Sequence, residues 1–408
     1  KKEFVDKKII TSVSEIIQDV SSRGDDALIQ ITEKLENHLI EGFFVSEEEI
    51  NHSFERVDKE IITALEFSFD NIIDFHSKCM DSLSLEPFDS EIYRIFKPIR
   101  STLLYVPGGK ASYPSSVLMA AGPAIASQVK EIYLTTPFLK GYINDLTIAA
   151  AKVAGIKKIA KLGGAQAIAA FALGTESIPK VDKIVGPGNS YVAEAKRQLF
   201  GKVGIDSIAG PSEIVVLADE TSSPELVAWD LMAQAEHDED SSSILICTSN
   251  EVIKEIKEII ETQLPNLDRA RIIRSSLKRN GIVIKIDNLK QSTKLINRFA
   301  PEHLHLAFEN KEINVHELIA GIILEGSDSA VSLSDYVLGP SHILPTNTSS
   351  RFSSPLSVED FLVSSTKVAI KSQANIDLYN KLIDKTSILA RAEGLTAHAI
   401  SVEKRKKD

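Results

Sequence analysis

The chain has 408 residues, 43% of them hydrophobic and 25% charged, with a formal net charge of −11. These proportions exclude a disordered, collagen-like or disulfide-scaffold chain, and the acidic balance argues against nucleic-acid binding, which needs basic surface to displace counterions. Two cysteines, Cys79 and Cys247, fit a reducing compartment, and no run of about 18 apolar residues marks a membrane span, so a cytoplasmic protein without a membrane partner is expected. No apolar signal core opens the sequence, which fits the same compartment, and position 1 is Lys rather than Met, so the natural chain is expected to start upstream.

Residues 1–100 carry only Gly24 and Gly42 and read as helices. Val13 to Val20, Ala27 to Leu35 and Ile61 to Phe75 place apolar residues three and four apart. From about 101 the pattern changes to short apolar runs: Leu103–Val106, Glu131–Leu134, Lys158–Ala160 and Lys183–Val185. Periodic, Ala-rich segments separate them at Ser116–Ala126, Asp145–Ala154 and Gln166–Leu173. Strand, helix, strand at this spacing predicts a parallel sheet with right-handed crossovers. A second series follows at Ile214–Leu217, Ile244–Ile246, Ile282–Ile284 and Ile322–Leu324, and the last fifty residues read as helical, with Asn375–Arg391 the longest segment. The expected fold class is therefore α/β, with two modules, an N-terminal helical region and a C-terminal helical tail. The expected segments are 1–104, 105–213, 214–355 and 356–408.

Three glycine-bearing turns lie in the first module: Pro107-Gly108-Gly109, Gly163-Gly164-Ala165-Gln166 and Gly186-Pro187-Gly188-Asn189. The last two follow predicted strands and open predicted helices, where free N–H groups can meet a phosphate. None fits G-x-G-x-x-G, so the dinucleotide signal is weak by itself and tight βα turns are the plainer reading, with Tyr105 as a core aromatic and Gln166 and Asn189 as helix-terminal polar residues. Of the histidines, His38, His52 and His76 read as surface or satisfied core residues. Ser223 and Pro224 open a helix that would place Gln234 and His237 on one face, three residues apart, as two donors for a metal or as a polar helix end. Glu302 and His303 set an acid beside an imidazole after Pro301, and such a pair can divide acid–base work. The alternation of His303 and His305 also fits a half-exposed edge strand. Asp335, His342, Glu393 and His398 add polar groups that read singly as loop or cap residues. Cys247 lies in an apolar run and Cys79 far from any glycine turn, so neither reads as a thiol nucleophile.

Taken in order, the segments Tyr105–Gly109, Gly163–Gln166, Val185–Asn189, Asp206–Glu213, Ala233–Asp238, Pro301–Leu304, Ser334–Thr346 and Gly394–His398 closely resemble the histidinol dehydrogenase family. The resemblance spans about residues 10–403. It implies two incomplete Rossmann-like modules related to aldehyde dehydrogenases, with residues 1–104 packing on the zinc and substrate module at 214–355, the NAD module at 105–213, and the tail reaching a partner subunit. It implies a homodimer that oxidises L-histidinol to L-histidine through the aldehyde, at the last step of histidine biosynthesis, with two NAD⁺ reduced. By matching position, Gln234, His237, Asp335 and His398 would bind zinc, the last from the partner. Glu302 and His303 would be catalytic, and Ser212 and Glu393 would join His303 and the zinc ligands in holding substrate. Tyr105, Gln166 and Asn189 would contact NAD. Ser207 stands where the family usually has Met, and Glu239 where Pro is common. Apart from the resemblance, the same polar set would also suit a zinc hydrolase whose glycine turns are only structural.

Overall fold

In the computed structural model the described residues are 6–36, 40, 42–83, 92–108, 112–309 and 311–407; His38 and Gly109 lie outside them. The chain divides into two compact units, one of Lys1–Asp81 with Pro98–Leu362 and the other of Ser82–Lys97 with Val363–Asp408. The division departs from the expected segments, since residues 82–97 leave the N-terminal region and join the C-terminal tail.

The chain opens with α1 (Lys7–Arg23), α2 (Asp25–Glu36), α3 (Glu47–Arg56) and α4 (Lys59–Leu83), followed by β1 (Ile92–Pro98). Then come β2 (Ser101–Tyr105), α5 (Pro114–Ala126), β3 (Glu131–Thr135), α6 (Asp145–Val153), β4 (Lys158–Ala160), α7 (Gly164–Leu173), β5 (Lys183–Val185), α8 (Ser190–Leu199) and β6 (Gly204–Ile205). These five strands form one sheet in the order β4-β3-β2-β5-β6, and every pairing in it is parallel. The second series is β7 (Glu213–Ala218), α9 (Pro224–Ala235), β8 (Ser242–Cys247), α10 (Asn250–Gln263), α11 (Ala270–Asn280), β9 (Ile282–Lys285), α12 (Ser292–Phe299), β10 (His303–Leu306), β11 (Ile322–Glu325) and α13 (Val331–Tyr336). Its sheet runs β11-β10-β7-β8-β9, again wholly parallel. The apolar runs in the sequence are strands of these sheets, with β4, β9 and β11 at edges and β2, β3, β5, β7 and β8 inside; every residue of β2 and of β8 is buried, as strands covered on both faces require. In β7, Ile214 and Val216 enter one core cluster and Val215 and Leu217 another, so both faces of the second sheet are covered.

The second unit holds β12 (Leu362–Val368), α14 (Ile376–Ala392) and α15 (Thr396–Glu403), and β12 pairs with β1. Both strands are largely exposed, which is why the helical reading of residues 1–100 and of the last fifty missed them. Helix α4 meets the segment after α13: the Ser68 hydroxyl donates to the carbonyl of Tyr336, and Asn71 Nδ2 donates to that of Val337 at 2.8 Å. Helices α1 and α2 pack against α7 and α3 against α6, on the first sheet's side. Among the described residues no helix is long and apolar enough to cross a membrane.

His76 on α4 corrects the expectation of a surface or satisfied histidine. It is fully buried, and neither ring nitrogen has a hydrogen-bond partner. Burial lowers its pKa to about 4. The folded value lies below the unfolded one of about 6.5, so folding requires the neutral ring and stability falls as pH drops from about 6.5 toward 4. Urea denaturation at pH 7 and pH 4.5 should show this residue costing about 2 kcal/mol on acidification. His76→Leu should remove that loss, and an unchanged pH dependence in the variant would contradict the assignment.

Candidate active site

Parallel pairing sets His303 of β10 beside Ile214 of β7, which brings Glu302 next to Glu213. Helix α12 ends on Ala300, whose φ of 44° is left-handed, and Pro301 then directs the chain into β10. The Glu213 N–H donates to Glu302 Oε2 at 2.8 Å, and His303 Nδ1 donates to the Glu213 carbonyl at 3.2 Å. His303 Nε2 lies 3.3 Å from Asp335 Oδ1, and its Nδ1 lies 3.5 Å from Glu302 Oε2. Burial opposes charge on the His303 ring, but Glu302 and Asp335 outweigh it and raise its pKa to about 10. Burial also works against the Asp335 carboxylate, yet the bond from His303 holds its pKa below the usual range.

β10 lies between β7 and β11, so the edge-strand reading of His303 and His305 is corrected: both are buried interior residues. His305 Nδ1 donates to Asp230 Oδ2 on α9 at 2.8 Å, and Nε2 to the Gly326 carbonyl at 3.0 Å. Burial disfavours the His305 cation, but Asp230 outweighs it and the pKa rises. This ring ties together the helix of Gln234, the strand of His303 and the loop leading into the helix of Asp335.

Ser223 caps α9 as expected, its hydroxyl accepting from the Leu226 N–H. The helix stops at Ala235, so His237 lies in the following turn rather than on the helix; its N–H reaches the Gln234 carbonyl at 3.4 Å. Gln234 is 1% exposed, and neither its Oε1 nor its Nε2 has a hydrogen-bond partner. A buried amide without partners is costly, and a cation would satisfy its oxygen. Among the described residues no three His, Cys, Asp or Glu side chains converge on one point. Of the expected ligands only His237 and Asp335 are of those types within this unit. Glu393, the C-cap of α14, and His398 on α15 are exposed residues of the second unit.

A cleft of about 530 Å³ brings together Ser212, His237, Glu302, His303, Asp335 and His342. From its sequence position alone His342 reads as a loop residue. Here its Nδ1 donates to the Asp335 carbonyl at 2.8 Å, which leaves Nε2 bare to accept from the Ser116 hydroxyl at 3.0 Å. Burial lowers its pKa, so this imidazole is neutral beside the charged His303. Its one sequence signal is a position seven residues after Asp335, in the same motif.

Asn189 also lines this cleft, and it caps α8 by accepting from the N–H groups of Tyr191 and Val192 at 3.0 and 3.1 Å. It reaches a second cleft as well, about 910 Å³ in volume, formed by α1, α2 and the start of α7. Gln166 lines that cleft; it is 1% exposed and its Oε1 has no hydrogen-bond partner. Tyr105 is buried at the end of β2, and its hydroxyl accepts from the Gly164 N–H at 3.1 Å, fixing the N-terminus of α7.

Residues 1–406 match the family model described as histidinol dehydrogenase. The chain is 43% identical to the histidinol dehydrogenase of Clostridium acetobutylicum, over 98% of this chain and 92% of that one. It is 46% identical to that of Caldanaerobacter subterraneus, over 98% and 93%. The crystal structure of histidinol dehydrogenase from Elizabethkingia anophelis superposes with a TM-score of 0.90 at 35% identity, covering 99% of this chain and 93% of that one. A fold likeness with a TM-score of 0.50 at 10% identity extends to the probable aldehyde dehydrogenase of Listeria monocytogenes, over 90% of this chain and 98% of that one.

Proposed function

The chain belongs to the histidinol dehydrogenase family, and on that premise we propose that it oxidises L-histidinol to L-histidine through the aldehyde in two NAD-linked steps. The observation that carries the reading is the Glu302–His303 pair, held by the backbone of one residue at a cleft that also receives His237 and Asp335.

The orphaned amide of Gln234, with His237 and Asp335 nearby, suits a divalent cation, and His398 from the partner would complete the set. Zinc there would bind and orient the substrate's imidazole and amine and, by drawing charge from Asp335, let His303 release its proton near neutral pH. The two clefts share Asn189, and the unpartnered Oε1 of Gln166 lines the larger, so the pair suits an extended dinucleotide. NAD⁺ would accept a hydride from the carbinol carbon in each half of the reaction.

The chain's own groups handle the protons. Neutral His303 takes the alcohol proton in the first half. The aldehyde must become a tetrahedral adduct before a second oxidation. Cys247 is buried, with its pKa raised by burial, and neither cysteine lines the cleft. Water is therefore the nucleophile, and Glu302, its Oε2 already oriented by Glu213, takes the water's proton. Ser212 and Glu393 would bind the substrate's polar groups. A cytoplasmic setting accords with the two free thiols.

The homodimer is proposed on the apolar residues that the tail exposes in a single chain: Leu378, Leu382, Ile388 and Leu389 on α14 and Ile400 on α15. A helix pair this apolar calls for cover, and the tail also carries Glu393 and His398.

Absorbance at 340 nm should show about two NADH formed per L-histidinol consumed, with the rate abolished by chelation and restored by zinc. Failure to form NADH under zinc-replete conditions would overturn the reading. For the shared site, inactive His303→Ala and inactive His398→Ala chains should regain activity on mixing, at most about a quarter of wild type, because one site in each hybrid dimer carries neither lesion. No recovery despite demonstrated subunit exchange would assign His398 to its own chain.

A further inference from the structure

Beneath the Gly186–Asn189 turn lies an ion pair that the reaction does not use. Lys196 is 2% exposed and pairs with Asp206, whose side chain is 5% exposed. Lys196 Nζ also donates to the Gly186 carbonyl at 3.0 Å, while Asp206 Oδ2 accepts from the Gly186 N–H at 2.7 Å. One charged group therefore holds each polar face of the same glycine. Gly186 has a φ of 111°, and a Cβ there would collide with the Tyr105 carbonyl oxygen. The turn has no side chain of its own at this point, so its orientation depends on the groups gripping the two peptides that flank Gly186. Lys196 lies on α8 seven residues after the cap residue Asn189, on the same helix face, and reaches back to the start of the turn. Pro187, Gly188 and Asn189, just past the gripped peptide, all line the active-site cleft.

We propose that Lys196 and Asp206 are positioning residues for the dinucleotide: they set the Gly186–Asn189 turn at the height and angle at which Gly188 and Asn189 receive the cofactor. A buried ion pair seldom stabilises a fold more than apolar packing would, because both charges lose their hydration. Its value here is geometric, since charge-assisted bonds to the N–H and the C=O of Gly186 fix the two peptide planes that meet at its Cα. Asp206 also begins the 206–212 segment that joins the two sheets, so the same grip anchors the start of the crossover that ends at Glu213.

The inference rests on the NAD reading above, and the experiment separates the two. NADH affinity is measured by its fluorescence, KM for NAD⁺ and for L-histidinol and kcat by steady-state kinetics, and folding by Tm. Lys196→Met should weaken NADH binding and raise KM for NAD⁺ at least about tenfold, the loss expected when charge-assisted bonds are removed. KM for L-histidinol should stay within about twofold and kcat at saturating NAD⁺ within about threefold. Asp206→Asn keeps an oxygen for the Gly186 N–H and should show a smaller shift of the same kind than Asp206→Ala. It carries the same comparison if Lys196→Met does not fold. Folded variants whose NADH affinity and KM for NAD⁺ match wild type would overturn the proposal, as would losses that fall equally on both substrates. A wild-type protein that neither binds NADH nor reduces NAD⁺ would overturn the NAD reading, and this inference with it.

Discussion

The backbone of Glu213 holds both members of the Glu302–His303 pair, its N–H on the carboxylate and its carbonyl on the imidazole. That double grip exists only because β7 and β10 are parallel neighbours in one fixed register. A slip of one residue would turn His303 to the opposite face of the sheet. The Glu213 side chain extends the same control outward, as its Oε1 accepts from the Asn347 N–H at 2.9 Å. Both ends of the catalytic wall thus answer to one residue at the start of one central strand.

The two sheets contribute to the site from opposite strand ends. In the first, Tyr105, Gly164 and Gly186 lie at or just beyond the carboxyl ends of β2, β4 and β5, the usual place for a ligand in an open parallel sheet. In the second, Glu213 and His303 open β7 and β10. The 206–212 segment carries the chain from one edge to the other, so groups placed to bind a dinucleotide and groups placed to move protons come to share the cleft that Asn189 and Glu302 both line. The neutral imidazole of His342 beside the charged one of His303 illustrates how two like side chains in that cleft receive different states: one faces a carbonyl and a hydroxyl, the other stands between two carboxylates.

Much of this was legible in the sequence, for physical reasons. Interior parallel strands are buried on both faces, so β2, β7 and β8 stand out as apolar runs. The exposed strands β1 and β12 leave no such mark, and the chain around them read as helix. Ser223 and Pro224 announced the start of α9, but neither glycine nor proline marks its end, and His237 fell beyond it. The motifs named Glu302, His303 and Asp335 without their distances, because residues far apart in sequence meet only through the strand order. Lys196 lay hidden because a lysine on a polar helix reads as solvated, and Asp206 stood only as the first residue of a motif. Only the fold shows that Lys196 is buried.

The central claim is that Glu302 and His303 divide the two halves of the reaction, with Glu302 needed for hydration of the aldehyde. The most direct test is single-turnover oxidation of L-histidinol and of L-histidinal by Glu302→Gln with excess NAD⁺. The account predicts a loss of about a hundredfold or more with the aldehyde, the usual worth of a positioned base, and a loss under about tenfold for NADH formed in the alcohol step. Equal losses in both halves would contradict it.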